Sequence, residues 1–295
     1  MFRNTVFALA FADGVSAKKY ARGFVRQAIN EIPEVVPVTE ADIFATPSSI
    51  DWSAKGATTA VKDQGTCGSC WAYSTTEGIE SAVYMAQGKL VELSPQQIIS
   101  CDTTDGGCDG GDLPTAFKYV ESVGGIDSVA DYPESSKFGP ANYYYGTEEE
   151  DSLATEGPTG NCTWDGKKVA SVTSWKYAVA PCTSGACDKQ DETALAAVIA
   201  QNGPVSICVN AQTWDSYSGG ILQGDCSSAY SDMDHCVQLV GYDLEAKYWK
   251  VRNSWGSSWG ENGFIRLPFG VNSCSVASEA VLPTASLVEV DSIVV

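Results

Sequence analysis

The chain has 295 residues, of which 44% are hydrophobic and 19% charged, so it is long enough to bury one large core or two medium ones. Its formal net charge of −19 argues against binding to the phosphates of nucleic acid or to anionic membranes. No apolar run approaches the ~20 residues that a membrane-spanning helix needs. A soluble globular protein is expected, with neither nucleic acid nor a membrane among its partners.

Residues 1–46 differ in composition from the rest of the chain. Basic residues are scattered through 3–26, and the Pro, Val and Glu residues of 31–40 indicate an extended linker. One interpretation is a secretory signal peptide, with a short apolar run over 6–12 and a small-residue cleavage site at 15–17. On this interpretation, and on the alternative given below, the segment is expected to be removed.

Helical signals dominate the next part of the chain. One helix is predicted over 70–87 and ends at Gly88, and another is predicted over 113–123 and ends at Gly124. Between them, Ser94 is placed to cap a short helix that begins with proline. This half of the chain is expected to be a helical lobe.

Residues 167–295 change to a β-rich pattern. One helix is predicted over 191–201, and strands are predicted over 205–209, 236–242, 248–251 and 264–267. The expected fold class is α+β, with a helical lobe over 47–166 and a β-rich lobe over 167–295. An insertion over 138–160, rich in tyrosine and glutamate, is expected to be a solvated loop, with a partner-binding patch as the alternative.

Eleven cysteines are many for a cytosolic protein, and their scatter favours an oxidising compartment over zinc knuckles. Ten can pair, so one is left over as a candidate nucleophile. The chain has a single histidine, His235, which excludes most zinc hydrolase sites. No metal or organic cofactor is implied. Asn161 starts an Asn-Cys-Thr sequon and is a glycosylation candidate.

Cys70 has the local setting of a nucleophile. It follows a glycine-containing turn at the start of an apolar helix, where free N–H groups and the helix dipole favour a thiolate. Gln64 and the backbone N–H of Cys70 are placed to stabilise an oxyanion. Two alternatives stay open from the residues alone: a disulfide cysteine beside a helix cap, or a redox pair formed with Cys67.

Three blocks of the sequence resemble the papain family of cysteine peptidases, over roughly residues 50–283. The first block is the string Gln-Gly-Thr-Cys-Gly-Ser-Cys-Trp-Ala at 64–72. The second is Asp234-His235, and the third comprises residues 247–256 and 259–266, with Asn253-Ser254-Trp255-Gly256 at its centre. The resemblance implies a two-lobed fold, with a helical left lobe, an antiparallel β-barrel-like right lobe and the active-site cleft between them.

The resemblance also implies a role for each catalytic position. Cys70 corresponds to the nucleophile, His235 to the general base and acid, Asn253 to the residue that orients the imidazole, and Gln64 to the oxyanion donor. Trp255 corresponds to the tryptophan that shields the asparagine–histidine contact from water. The implied activity is a cysteine endopeptidase that acts through a thiolate–imidazolium pair and an acyl-enzyme.

Two other functions compete with the endopeptidase. A catalytically silent binding or storage relative of the family would keep the fold, but every catalytic position is filled in this chain. Carboxydipeptidase activity of the cathepsin B type needs a loop bearing further histidines, and the chain has only one. Endopeptidase action is therefore favoured.

The resemblance sorts most of the cysteines into pairs. Six fall on family disulfide positions: Cys67 with Cys108, Cys101 with Cys162, and Cys226 with Cys274. Cys182 and Cys187 are expected to form a local bridge without family precedent. By the family match, Cys208 and Cys236 lie in the wall of the pocket for the residue two before the scissile bond (P2). Whether they are bridged is left open, because adjacency alone does not guarantee the geometry.

Specificity is expected from the same pocket. Gly110 and Gly111 resemble the glycine pair that binds extended substrate through its backbone. Glu279 falls where cathepsin B-like enzymes carry a glutamate at the pocket floor, which implies that arginine as well as apolar P2 side chains is accepted. A solvated glutamate at a strand edge is the alternative. The other residues assigned to substrate binding are Gly68, Ser69, Asp112 at the pocket rim, Leu113 and Asp234.

The alternative for residues 1–46 is a truncated propeptide, because Phe11-Ala12-Asp13 and the stretch after it resemble the end of a papain-family inhibitory propeptide. The implied partners are protein or peptide substrates, the chain's own propeptide and cystatin-like inhibitors, and the enzyme is expected to be a monomer. A lysosomal, vacuolar or secreted location fits the many cysteines and the low isoelectric point of about 4.3.

Overall fold

The computed structural model describes residues 20–27, 34–135, 160–224 and 226–288. The predicted insertion over 138–160 lies outside these residues except for Gly160, as do residues 1–19. Within the described chain, no helix combines the length and apolarity needed to cross a membrane.

The helical part is built around one long buried helix, α2 (Cys70–Gln87), which ends at Gly88 in the left-handed conformation, as its sequence predicts. The shorter helices are α1 (Glu40–Phe44), α3 (Pro95–Cys101), α4 (Leu113–Ser122) and, in the second half, α5 (Glu192–Asn202). Side-chain caps explain where three of them begin: Ser94 accepts from the backbone of α3, Asp112 from α4 and Asp191 from α5.

The second half forms an antiparallel sheet. Its strands are β1 (Ser49–Asp51), β2 (Ala170–Tyr177), β3 (Val205–Val209), β4 (His235–Asp243), β5 (Tyr248–Arg252), β6 (Phe264–Pro268) and β7 (Glu279–Leu287), in the order β2-β7-β3-β4-β5-β6 with β1 beside β4. The α+β class is confirmed, with an open antiparallel sheet where the resemblance implied a barrel-like one. The described sheet is open, because its outer strands β2 and β6 do not pair with each other.

Two hydrophobic clusters form the interior. One surrounds Trp214 and Trp249 between α5 and the sheet. The other surrounds Trp71 and Phe117 on α2 and α4, and it takes in Val281 from β7. Helix α2 packs against β4. Cys70 is the first residue of α2, His235 is the first residue of β4, and the N–H of Cys236, next to His235, donates to the Cys70 sulfur.

Candidate active site

Cys70 is the one free thiol of the chain, because the structure pairs the other ten cysteines. It is the first residue of α2 and is fully buried. Ser69 is the N-cap of this helix and is itself buried, and Gly68 donates its backbone N–H to the Cys108 carbonyl at 3.0 Å. The N-terminus of α2 thus carries a sulfur that forms no disulfide bond.

The imidazole of His235 is held from one side. Its Nε2 lies 2.8 Å from Oδ1 of Asn253, and the same oxygen accepts from the backbone N–H of Ser254 at 2.8 Å. Within the described chain Nδ1 of His235 has no hydrogen-bond partner. The asparagine therefore fixes the ring through one nitrogen and leaves the other available to a neighbouring acid or base.

Tryptophans cover the contact between His235 and Asn253. The Trp255 ring stacks on the imidazole with centroids 4.8 Å apart, and Trp214 meets it edge-on at 6.2 Å. Both tryptophans are buried. Their rings keep water from competing for the hydrogen bond to the imidazole.

Gln64 is anchored so that its amide group points into the cleft. Its Oε1 accepts from the Ser254 hydroxyl at 2.6 Å. Its Nε2 donates to the carbonyls of Cys67 at 2.9 Å and Ala21 at 3.2 Å. Since Ala21 belongs to the N-terminal part of the chain, the amide proton already meets a peptide carbonyl in this structure.

Burial keeps the cysteine and histidine neutral in this structure. Desolvation raises the pKa of Cys70 to about 12, against the opposing effect of N–H donors from Cys236, Gly23 and Trp71. Desolvation likewise lowers the pKa of His235 to about 3, although the bond to Asn253 favours the charged ring. The helix N-terminus was expected to favour a thiolate, but the loss of water outweighs it here.

Residues 20–27, hereafter the cleft segment, lie over the buried sulfur, to which Gly23 donates its backbone N–H. Gly23 accepts from the N–H of Gly111 at 2.9 Å and Val25 donates to the Gly111 carbonyl at 2.9 Å, which makes a parallel bridge of Phe24 with Gly111. Phe24 also donates to the Asp234 carbonyl at 3.1 Å. The backbones of Gly111 and Asp234, both predicted to bind substrate, therefore bind the cleft segment in this structure.

The segment passes the nucleophile at a glycine. A Cβ atom at Gly23 would overlap the carbonyl oxygen of Gly68, and one at Gly110 would lie 2.6 Å from Val25 and 2.9 Å from the Gly23 carbonyl oxygen. Side chains at either glycine would force the backbones apart. Gly23 and Gly110 thus permit the close approach.

The two arginines of the cleft segment contact acidic residues on the β-rich side. Arg26 forms an ion pair with Glu279, and its guanidinium lies 4.6 Å from the centre of the Tyr230 ring. Arg22 donates to Asp215 at 2.7 Å, lies 3.5 Å from the carboxylate of Asp234, and covers Trp255. The arginines hold the two ends of the segment by charge.

The pocket that receives Arg26 is lined with acid and sulfur. Glu279 is fully buried on β7, so the alternative of a solvated glutamate is wrong. Burial and the neighbouring Asp112 raise the pKa of Glu279, while Arg26 opposes them. Asp112 was expected at the rim, but it is fully buried, caps α4 at Leu113 and accepts from Gln27 at 2.9 Å. Leu113 is buried behind it.

The structure bridges cysteines in all the pairs considered from the sequence: Cys67–Cys108, Cys101–Cys162, Cys182–Cys187, Cys208–Cys236 and Cys226–Cys274. The pair left open, Cys208 and Cys236, is joined. Because Cys67 is bonded to Cys108, it does not form a redox pair with Cys70. Asn161 is exposed, as a glycan acceptor must be.

Sequence reasoning missed the cleft segment as part of the site. The basic residues were noticed, but their carboxylate partners Asp215 and Glu279 lie in the β-rich half, far along the chain. Two arginines four positions apart on either side of Gly23 were the available signal. This spacing of arginines identifies a site residue only when the position of the acidic pocket is known.

Comparison with known proteins places the chain in a family. The model described as "Papain family cysteine protease" matches residues 46–284. Cysteine endopeptidase RepA of Oryza sativa subsp. japonica is 38% identical over 251 residues, which are 81% of this chain and 58% of the relative. A cysteine proteinase of Trypanosoma brucei brucei is 39% identical over 230 residues, 77% of this chain and 45% of the relative. The chain thus spans about half the length of these curated relatives.

Solved structures agree with the sequence relatives. Digestive procathepsin L2 proteinase from Tenebrio molitor larval midgut superposes with a TM-score of 0.71 at 33% identity, over 90% of this chain and 78% of that one. The bromelain protease from Ananas comosus in complex with the E64 inhibitor gives 0.63 at 31% identity, over 81% and 99%. The chain therefore belongs to the papain family of cysteine proteases.

Proposed function

We propose that this chain is a cysteine endopeptidase held inactive by its own N-terminal segment. The observation that carries the proposal is one free thiol, Cys70 at the N-terminus of α2, which accepts from the backbone N–H of Cys236. The preceding residue, His235, has its Nε2 held by Asn253. A nucleophile, a base and a residue that orients the base are the parts that acyl transfer needs.

Each residue has a defined part in the reaction once the cleft is open. Proton transfer from Cys70 to His235 gives a thiolate–imidazolium pair, and the thiolate sulfur attacks the peptide carbonyl carbon. The oxyanion accepts hydrogen bonds from the Cys70 backbone N–H and the Gln64 amide. The imidazolium then protonates the leaving amine, and a thioester remains on Cys70. Water activated by His235 hydrolyses this acyl-enzyme and restores the thiol.

Residues 1–46 act, on this proposal, as a propeptide whose part 20–27 fills the cleft. Its parallel pairing with Gly111 and the glycine over Gly68 support this reading. The carbonyl of Ala21 accepts from Gln64 and from Trp255 at 3.1 Å, so the segment also occupies the oxyanion donor. Removal of the segment would expose the helical lobe (47–166) and the β-rich lobe (167–295) to a peptide substrate.

Arginine or an apolar side chain is the proposed P2 residue. The ion pair of Arg26 with the buried Glu279 supports the arginine, because it seats a guanidinium in the pocket of this chain. Tyr230 and the Cys208–Cys236 bridge supply apolar surface for the alternative side chain. The proposal also includes protein or peptide substrates, cystatin-like inhibitors of the open cleft and a monomeric state. The proposed location is an oxidising one, lysosomal, vacuolar or secreted, and the five disulfides support it.

The test is hydrolysis of a fluorogenic peptide with Phe-Arg before the reporter, at mildly acid pH with a thiol reductant, by the processed protein. The wild type is expected to cleave it, and Cys70→Ala, processed with an added protease, is expected to be inactive. Ser69→Ala is the matched control at the neighbouring buried position. Activity that survives Cys70→Ala would remove the proposed mechanism, and a folded, processed wild type that cleaves no peptide would favour a silent relative.

A further inference from the structure

Three neighbouring strands align a row of side chains beneath the cleft. Cys236 on β4 faces Cys208 on β3, and Cys208 in turn faces Glu279 on β7. Directly opposed residues of antiparallel strands project from the same side of a sheet. All three side chains are fully buried. The row therefore runs as two bonded sulfurs followed by a carboxylate.

The two ends of this row touch the two parts of the site. At one end Cys236 follows His235 in the chain, and its backbone N–H donates to the Cys70 sulfur. At the other end the sulfur of Cys208 and carboxylate oxygens of Asp112 and Glu279 all lie within 4.8 Å of one another. The disulfide thus lies between the nucleophile and the acids that receive Arg26.

We propose that the Cys208–Cys236 disulfide determines specificity in this enzyme, as a rigid wall that holds Glu279 in a dry position where it pairs with a P2 arginine. The proposal rests on the proposed function and deepens it. It concerns the choice between arginine and an apolar side chain, which the catalytic residues do not decide.

The short distance between the bonded sulfurs is what makes the disulfide a compact wall beside Glu279. Bonded sulfurs are about 2 Å apart, whereas two unbonded side chains pack at roughly 3.5–4 Å. Opening the bridge in a fully buried site must therefore push one sulfur into the pocket or spread β3 from β4. Replacing both cysteines by alanine instead leaves space beside Glu279 that water can enter.

Arginine and phenylalanine respond differently to that change. The pairing of a guanidinium with Glu279 depends on a fixed carboxylate in a low-dielectric pocket, so water and movement weaken it. Phenylalanine needs only volume and apolar surface, which the smaller alanines still provide. Loss of the bridge should lower the preference for arginine at P2 and leave cleavage of substrates with phenylalanine at P2 nearly intact.

The experiment compares processed wild type with Cys208→Ala/Cys236→Ala, both made from the full chain. The kcat/KM values are measured on Arg-Arg and Phe-Arg reporter peptides, which differ only at P2. The Arg-to-Phe ratio is expected to fall about fivefold or more in the variant. This ratio does not depend on the fraction of active enzyme. Cys101→Ala/Cys162→Ala is the matched control, because it removes a bridge at the end of α3 and not one on β3, β4 or β7; its ratio should equal that of wild type.

A second measurement uses the unmutated enzyme. Graded dithiothreitol treatment reduces a bridge by passing two electrons and two protons from one dithiol, which closes to its own disulfide. The ratio should fall in step with loss of the Cys208–Cys236 bond, followed by mass analysis of alkylated peptides. An unchanged ratio after loss of the bond overturns the proposal. So does a double variant that fails to fold while the control folds, because the bridge would then serve stability. Cleavage of both peptides by wild type and control upholds the proposed function in either case.

Discussion

The catalytic end and the pocket end of the cleft lie under the same segment and are both fully buried, yet they differ in charge. At the catalytic end burial raises the pKa of Cys70 to about 12 and lowers that of His235 to about 3, which leaves both neutral. At the pocket end Arg26 brings a positive charge to Glu279. On the proposed function, the segment suppresses the chemistry by withholding water and is held in place by charge.

The two ends differ because different groups of the segment replace the water that each end loses. Gly23 passes Cys70 and supplies only a backbone N–H, which is too little to offset the desolvation of a thiolate. Arg26 supplies a full countercharge to a carboxylate that would otherwise be buried with Asp112. The comparison predicts that the two ends respond to different substitutions.

The largest effect is expected at the catalytic end, in the processed enzyme. His235→Gln removes the only imidazole, so kcat/KM on the Phe-Arg peptide should fall by about 10²–10⁴. Asn253→Ala keeps the imidazole but removes its partner, and a smaller loss is expected. If His235→Gln kept wild-type activity, His235 would not be the base.

A smaller effect is expected when the segment loses its charge at the pocket end. A peptide of residues 20–27 should inhibit the processed enzyme, and its Arg26→Ala form should bind about 30-fold less tightly or worse, because Glu279 is left buried without a partner. The matched peptide with Arg22→Ala loses partly exposed ion pairs and should change only a few-fold. Inhibition constants decide this, and a larger loss for Arg22→Ala would reverse the assignment.

Substitution of the pocket acid should alter specificity but not catalysis. Glu279→Gln keeps the shape of the side chain and removes its charge, so cleavage of the Arg-Arg peptide should fall about tenfold relative to Phe-Arg. Asp112→Asn is the comparison at the neighbouring acid, which keeps the Leu113 amide as its partner in the processed enzyme. Equal loss on both peptides would show that Glu279 supports the fold and not the choice of side chain.

A further effect is expected on opening of the cleft with pH. Burial under the segment lowers the pKa of His235 to about 3, and exposure should return it towards its ordinary range. A full-length Cys70→Ala chain, in which the imidazole has no thiolate partner, isolates this change. A base whose pKa is lowered in the closed state takes up a proton on opening, so opening becomes easier as pH falls from about 6.5 towards 3. Hydrogen exchange of residues 20–27 measures this. Adding His235→Gln should flatten the dependence, and identical slopes in both chains would contradict it.

Local signals account for the elements that the sequence predicted well. Helix α2 begins and ends where predicted because a glycine-containing turn precedes Cys70 and Gly88 adopts a left-handed cap. The 31–40 stretch was expected to be extended, but α1 begins at its end, where Thr39 and Asp42 form a capping box that the composition argument overlooked.

Features that depend on distant partners could not be predicted in this way. The openness of the sheet depends on which strands lie at its edges, and β2 and β7 carry no clean alternation of buried and exposed residues. The burial of Glu279 and the seat of the cleft segment depend on each other through Arg26. The residues around Arg26 do not indicate that Glu279 is its partner, and those around Glu279 do not indicate Arg26.

The most direct test of the account measures alkylation of Cys70, the single free thiol, with iodoacetamide across pH 5–8. The test compares the full chain, with the segment seated, against the enzyme after removal of residues 1–46. The account expects slow alkylation of the full chain, since its thiol is protonated and covered, and rapid, nearly pH-independent alkylation of the processed enzyme, where an ion pair supplies thiolate. Equal rates in the two forms would contradict the claim that the segment silences the site by burying it.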